Sequence, residues 1–111
     1  MRLSTLLEGV KEKRAGGPDN LDVCRIAYDS RRVTPGALFV AVPGFHVDGH
    51  RFIGEAVSRG ATAVVVQEDR KEQVDQALSA VSKPPAVIAV ADSRRALAEL
   101  AAAFYGYPAR K

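Results

Sequence analysis

Apolar positions along this chain follow two patterns, helical recurrence and short unbroken runs, and the breaks between them fall largely on glycine, proline and polar residues. Leu3, Leu6, Leu7 and Val10 recur at helical spacing. Thr5 with Glu8 matches a capping box, with Ser4 as an alternative cap. Gly16-Gly17-Pro18 ends this first predicted helix, because glycine accepts the left-handed terminal turn and proline cannot continue it. Val23 to Tyr28 is a short predicted strand. Leu38 to Val42 is a continuous apolar run that follows the turn Thr34-Pro35-Gly36, as expected of a buried strand. A helix is predicted from about His50 to Arg59, with Phe52, Ile53, Ala56 and Val57 on its apolar face and Gly60 closing it.

The same alternation continues to the end. Ala61 to Val66 is the next predicted strand, its Val64-Val65-Val66 too branched to prefer a helix. Asp69 and Glu72 form a second capping pair for a helix reaching about Val81, with Val74, Ala77, Leu78 and Val81 as its buried stripe. Pro84-Pro85 breaks the chain. Val87 to Val90 is a strand, and Asp92 caps a last helix in which Leu97, Leu100, Ala101 and Phe104 recur. Strands alternating with short helices imply an α/β fold: a small three-layer domain with a largely parallel or mixed sheet and helices on both faces. The runs Leu38–Val42 and Val87–Val90 are expected to be central strands with no face for water.

Composition narrows the function classes. The chain has 111 residues, one domain's worth, and lacks tryptophan, so its core is built from Val, Leu, Ile and Ala. Sixteen Lys and Arg against thirteen Asp and Glu give a formal charge of +3. The basic residues are dispersed, the densest groups being Arg31-Arg32, Arg94-Arg95 and Arg110-Lys111. That argues against a nucleic-acid partner and suits a small phosphate-bearing ligand. Cys24 is the single cysteine. It forms no internal disulfide, and its apolar-leaning surroundings predict a buried, inert thiol. No apolar run approaches the ~18 residues of a membrane span. The first residues lack a signal-peptide core, so a cytoplasmic location is expected.

Two loops carry candidate chemistry, and both follow predicted strands, where open α/β sheets bind ligands. Asp29-Ser30-Arg31-Arg32 offers a carboxylate, a hydroxyl and two guanidinium groups; a serine hydroxyl with nearby backbone N–H groups binds phosphate oxygens. From pattern alone the plainer reading is preferred, an Asp–Arg pair pinning a turn. The second loop runs from Pro43 to His50. Gly44 and Gly49 let backbone approach a ligand, and Phe45 and His46 are placed to flank a planar base. His46 and His50 stand four apart, but Gly49 argues against a helix joining them and no third ligand is evident, so no metal site is assigned. The chain has no G-x-x-x-x-G-K-[ST] phosphate loop, no G-x-S-x-G elbow and no G-x-G-x-x-G fingerprint, and no residue is assigned a catalytic role.

The string Tyr28-Asp29-Ser30-Arg31-Arg32-Val33-Thr34-Pro35-Gly36-Ala37-Leu38-Phe39-Val40-Ala41-Val42-Pro43-Gly44 resembles the opening motif of the Mur ligases E and F: DSR, V-x-P-G, LFVA, then glycine. Asp48-Gly49-His50-Arg51-Phe52-Ile53, Ala56 and Gly60-Ala61 continue the likeness. The Ala-rich helix ending Phe104-Tyr105-Gly106-Tyr107-Pro108, together with Leu3-Ser4 and Leu6-Leu7, is similar to the E branch; the F branch is the alternative. The resemblance implies a peptidoglycan-precursor ligase that uses ATP, with magnesium, to join an amino acid to a UDP-N-acetylmuramoyl peptide. For the E branch that substrate is UDP-N-acetylmuramoyl-L-alanyl-D-glutamate. It further implies that residues 1–111 are the N-terminal domain holding the UDP end, with no cofactor of its own and with the ATP-binding central and C-terminal domains lying outside the chain.

The resemblance also implies site residues. Ser30 resembles the serine that contacts the diphosphate. Tyr28 stands where some members carry an aliphatic residue lining the uridine site, and so departs from them. Phe45, His46 and Val47 fall where members wrap the uracil, partly by backbone; these side chains differ from the His-Gln-Ala of some members. Two other readings compete: a stand-alone interaction module, and a small enzyme acting through Asp48 and His46.

Overall fold

A computed structural model describes Leu3 and residues 13–16, 22–43, 49–79, 81 and 85–105. Five strands form one mixed sheet: β1 (Lys13–Gly16), β2 (Arg25–Ala27), β3 (Ala37–Val40), β4 (Ala63–Gln67) and β5 (Ala86–Val90). Their order across the sheet is β1-β5-β4-β3-β2. The last four are mutually parallel, and β1 runs antiparallel to β5. Three helices are described, α1 (Ile53–Ser58), α2 (Lys71–Leu78) and α3 (Ser93–Tyr105). Single 3-10 turns at Ser30–Arg32, Gly49–Phe52 and Glu68–Arg70 lead into the loop after β2, into α1 and into α2.

Side-chain alternation along the strands builds two cores. On one face Phe39, Val64 and Val66 pack with Ile53 and Ala56 of α1 and Val74 of α2. On the other, Leu38, Val40, Val65 and Ile88 pack with Ala96 and Leu100 of α3 and with Leu3. This is the three-layer α/β domain expected from the pattern.

Both long apolar runs are interior strands, but they are not buried alike. All four residues of β3 are buried, but Val42, the last residue of the expected run, lies beyond the strand and is half-buried at the cleft. In β5 burial alternates: Ala86, Ile88 and Val90 are buried, whereas Val87 and Ala89 are half-buried. They line a recess of about 210 Å³ beside α2 with Val66 and Val74. The expectation that neither face of β5 meets water therefore fails on the α2 side.

The first segment is also corrected. Leu3 is helical and buried, as its periodicity requires, and residues 4–12 lie outside the described residues. Lys13–Gly16, however, is a strand, so the first helix does not extend to Gly16. The tetrapeptide Lys-Arg-Ala-Gly has no β pattern of its own. Its pairing with Val87–Val90 extends the sheet through backbone hydrogen bonds, which sequence periodicity does not report.

Turn chemistry fixes how β2, β3 and α1 meet. Ala37 N–H donates to the Thr34 carbonyl at 3.0 Å, with Pro35 and Gly36 (φ 89°) between them, a type II turn. Gly60 (φ 104°) ends α1: its N–H donates to the Val57 carbonyl and that of Ala61 to the Ala56 carbonyl. These two bonds define a Schellman cap. At α2 the expected capping pair does not form. Asp69 Oδ1 accepts instead from Gln67 Nε2 at 3.2 Å, and the residue preceding the helix, Arg70, makes no side-chain cap bond. Asp92 does cap α3, its Oδ1 accepting from the N–H groups of Arg94 at 3.0 Å and Arg95 at 3.2 Å. Cys24 is exposed rather than buried, its thiol donating to the Pro35 carbonyl at 3.2 Å. Lying just before β2 at the edge of the sheet, it has no covering layer.

Candidate functional site

Because β2 and β3 are parallel neighbours, the segments leaving their carboxyl ends emerge side by side. Between them lies a cleft of about 800 Å³, within the size range of small-molecule sites. Tyr28, Asp29, Ser30 and Arg31 form one wall, from the segment after β2. Val42 and Pro43, after β3, form another with Gly49 and Phe52. Glu55 of α1, Arg59 just after it and Arg94 of α3 complete it.

The first wall is a rigid polar turn. Asp29 grips Arg31 with both carboxylate oxygens, Oδ1 accepting from Nε at 3.1 Å and Oδ2 from Nη2 at 2.9 Å. Oδ1 also accepts from the Arg31 backbone N–H at 3.0 Å, an Asx turn that starts the 3-10 turn. These bonds, with the Arg31 charge, hold the Asp29 carboxyl at about 2, well below the usual carboxylate value. Asp29 is therefore ionised throughout the neutral range. The Asp–Arg pairing read from the sequence is real, and it does not displace Ser30 from the cleft. Ser30 is 6% exposed and lines the cleft at the carboxyl end of β2, while Tyr28 is 68% exposed at the rim.

The second wall brackets the loop of residues 44–48. Phe45, His46 and Val47, and with them Asp48, lie outside the described residues. The residues flanking that loop, Pro43 and Gly49, both line the cleft. Gly49 N–H donates to the Val42 carbonyl at 2.9 Å, which closes the base of the loop. A Cβ on Gly49 would lie 2.8 Å from the Val42 nitrogen, so only glycine fits this approach. His50 follows, buried, its Nε2 accepting from the Gln67 N–H at 2.9 Å. That nitrogen serves the junction with β4.

Sequence reasoning missed five cleft residues, Val42, Phe52, Glu55, Arg59 and Arg94. Phe52 was assigned to the core face of the helix, yet it precedes α1 in a 3-10 turn and is 37% exposed. Glu55 and Arg59 form an i, i+4 pair, Arg59 Nε donating to Glu55 Oε2 at 3.1 Å. Arg94 had one usable signal: it follows a strand end, as Ser30 does. Its Nη2 donates to the Pro43 carbonyl across 51 residues of sequence. Among the described residues no group of three or more His, Cys, Asp or Glu converges as a metal site would need.

The architecture defines an α/β domain with a cleft at the carboxyl ends of adjacent parallel strands, whose described lining carries three arginines and two carboxylates, a setting suited to an anionic small molecule. Comparison with known proteins makes this specific. Residues 22–105 match the model of the Mur ligase family, catalytic domain. This chain belongs to the Mur ligase family. It is 47% identical over 111 residues to the UDP-N-acetylmuramyl-tripeptide synthetase of Roseiflexus sp., covering all of this chain and 20% of that protein. It is 44% identical over 114 residues to the UDP-N-acetylmuramoyl-L-alanyl-D-glutamate--2,6-diaminopimelate ligase of Geobacillus thermodenitrificans, again 100% of this chain and 20% of the relative. Among solved structures it resembles the UDP-N-acetylmuramoylalanyl-D-glutamyl-2,6-diaminopimelate--D-alanyl-D-alanyl ligase of Acinetobacter baumannii. The TM-score there is 0.67 at 25% identity, over 92% of this chain and 21% of that one. The chain spans about a fifth of the length of these relatives.

Proposed function

We propose that this chain is the UDP-anchoring N-terminal domain of an ATP-dependent, amide-forming ligase of peptidoglycan synthesis. Its substrate is UDP-N-acetylmuramoyl-L-alanyl-D-glutamate, to which the parent enzyme adds the third amino acid. The 35–47% identity to relatives named for that reaction supports this branch over the one that adds D-alanyl-D-alanine. The observation that carries the reading is the single cleft shared by Ser30 and by both stems of the 44–48 loop. Ser30 and neighbouring backbone N–H groups meet the diphosphate. Phe45, His46 and Val47 wrap the uracil, chiefly by backbone, and Tyr28 covers the nucleoside from the rim.

In this reading the chain binds and orients but does not catalyse. Holding the UDP end uses binding energy from an unreacting part of the substrate to position the distant carboxylate. Nothing in the chain fits ATP: it lacks the glycine-rich loop with its lysine. ATP and magnesium are assigned to the central and C-terminal domains of the same protein, outside residues 1–111. The cytoplasm, where ATP and nucleotide-linked precursors are found, is the location this reading implies.

Ser30→Ala in the whole ligase tests the site. Losing a hydrogen bond to a charged group should weaken UDP-substrate binding by roughly 1–2 kcal/mol. KM for that substrate should rise more than kcat falls, because the group acts far from the reacting carboxylate. Thermal unfolding should be nearly unchanged. A mutant that unfolds, or that binds the UDP substrate as well as the parent, would make Ser30 a turn residue only.

A further inference from the structure

The three guanidinium groups of the cleft differ in what surrounds them. Arg31 is held by Asp29 and Arg59 by Glu55. Arg94 faces no carboxylate among the described residues; its Nη2 donates to a neutral acceptor, the Pro43 carbonyl. Among the described residues lining the cleft, three arginines stand against two carboxylates, and the arginine without a carboxylate partner there is Arg94. A guanidinium carries five N–H donors, so the bond to Pro43 leaves most of them for a second acceptor. Planar, weakly hydrated guanidinium groups suit phosphate oxygens in particular.

The position of Arg94 is fixed from behind. Asp92 holds its backbone N–H, and Ser93, beside it, donates to Gln67 Oε1 through N–H at 3.3 Å and through Oγ at 3.2 Å. The N–H of the same Gln67 donates to His50 Nε2. The two stems of the 44–48 loop are thus both tied to the first turn of α3: Pro43 directly through Arg94, and His50 through Gln67 and Ser93. Arg94 is thus held in place at Pro43 while its guanidinium lines the cleft.

Building on the nucleotide reading above, we infer that Arg94 is a second diphosphate-binding residue: it contacts the nucleotide's diphosphate while its Nη2 holds the Pro43 carbonyl. The test is calorimetric titration of the 111-residue chain and its Arg94→Gln and Arg94→Lys variants with UDP and, separately, with uridine. Arg94→Gln should weaken UDP binding about tenfold or more, the scale of a charge-assisted hydrogen bond. Uridine binding should fall far less, and Arg94→Lys should recover part of the UDP affinity. Added salt should weaken UDP binding to the parent chain more steeply than to Arg94→Gln. Equal losses for UDP and uridine would reduce Arg94 to a brace for the loop, and unchanged UDP affinity would remove it from the site; either overturns the inference and leaves the nucleotide reading intact. Failure of the parent chain to bind either ligand at millimolar concentration would instead overturn the nucleotide reading, and this inference with it.

Discussion

Replacing Phe39 by alanine is expected to destabilise the fold by about 3–5 kcal/mol, the range for removing a large aromatic from a packed core. Phe39 is fully buried on β3 and belongs to the cluster with Ile53, Ala56, Val64 and Val74. These residues come from α1, β4 and α2, so the side chain is the common support of one whole layer. The two sides of the sheet are packed by separate clusters, so Leu38 and Val40 on the opposite side cannot close the void. Domains of this size have total stabilities of roughly 5–15 kcal/mol, so the loss is a large fraction of the whole. Urea unfolding should show the midpoint fall steeply with little change in slope. A loss below about 1 kcal/mol would mean that the layer repacks, contrary to the fixed geometry described here.

Gly60→Ala is expected to cost roughly 2–4 kcal/mol, from two causes that add. A φ of 104° strains any residue with a Cβ, and that Cβ would stand 2.7 Å from the Cα of Pro35. The neighbour is backbone inside a turn, so no side-chain rotation relieves the clash. Gly60 also links two features of the domain: it caps α1, and its carbonyl accepts from Gly36 N–H at 3.0 Å, joining that helix end to the turn before β3. Shifting it displaces the end of α1 and with it Glu55 and the adjoining Arg59 in the cleft wall. Thermal unfolding of Gly60→Ala beside Gly54→Ala separates the causes, since nothing lies within 4 Å of a Cβ on Gly54. Gly54 lies inside a helix, where alanine is favoured by about 1 kcal/mol, so that variant should be neutral or more stable. Equal effects at the two glycines would contradict the account.

How much of this was legible in the sequence depended on what signal each element carries. β3 and β4 were legible because branched, unbroken apolar runs bounded by turn residues have few alternatives. The cap of α3 was legible because Asp92 directly precedes the helical stripe. β1 was not, since Lys13–Gly16 is recruited to the sheet edge by its backbone rather than by its side chains. The half-covered face of β5 was not, because it depends on where α2 packs, which lies beyond the strand itself. Ser30 could be placed at a strand end by pattern, and the phosphate role proposed for it rests on resemblance to the Mur ligases. Arg94 lies 64 residues further along the chain from Ser30 and joins the cleft only when α3 packs under the sheet. Sequence separation conceals such residues unless every strand end is searched by the same rule.

The central claim is that the cleft between the carboxyl ends of β2 and β3 holds the UDP end of the ligand. The most direct measurement is amide chemical-shift mapping of the isotopically labelled 111-residue chain during titration with UDP. The account predicts saturable shifts at Ser30 and Arg31, at Val42 and Gly49 flanking the loop, at residues 44–48, and at Arg94. It predicts little change at Val87 and Ala89 in the recess beside α2. No saturable shifts at millimolar UDP, or shifts centred on that recess, would contradict it.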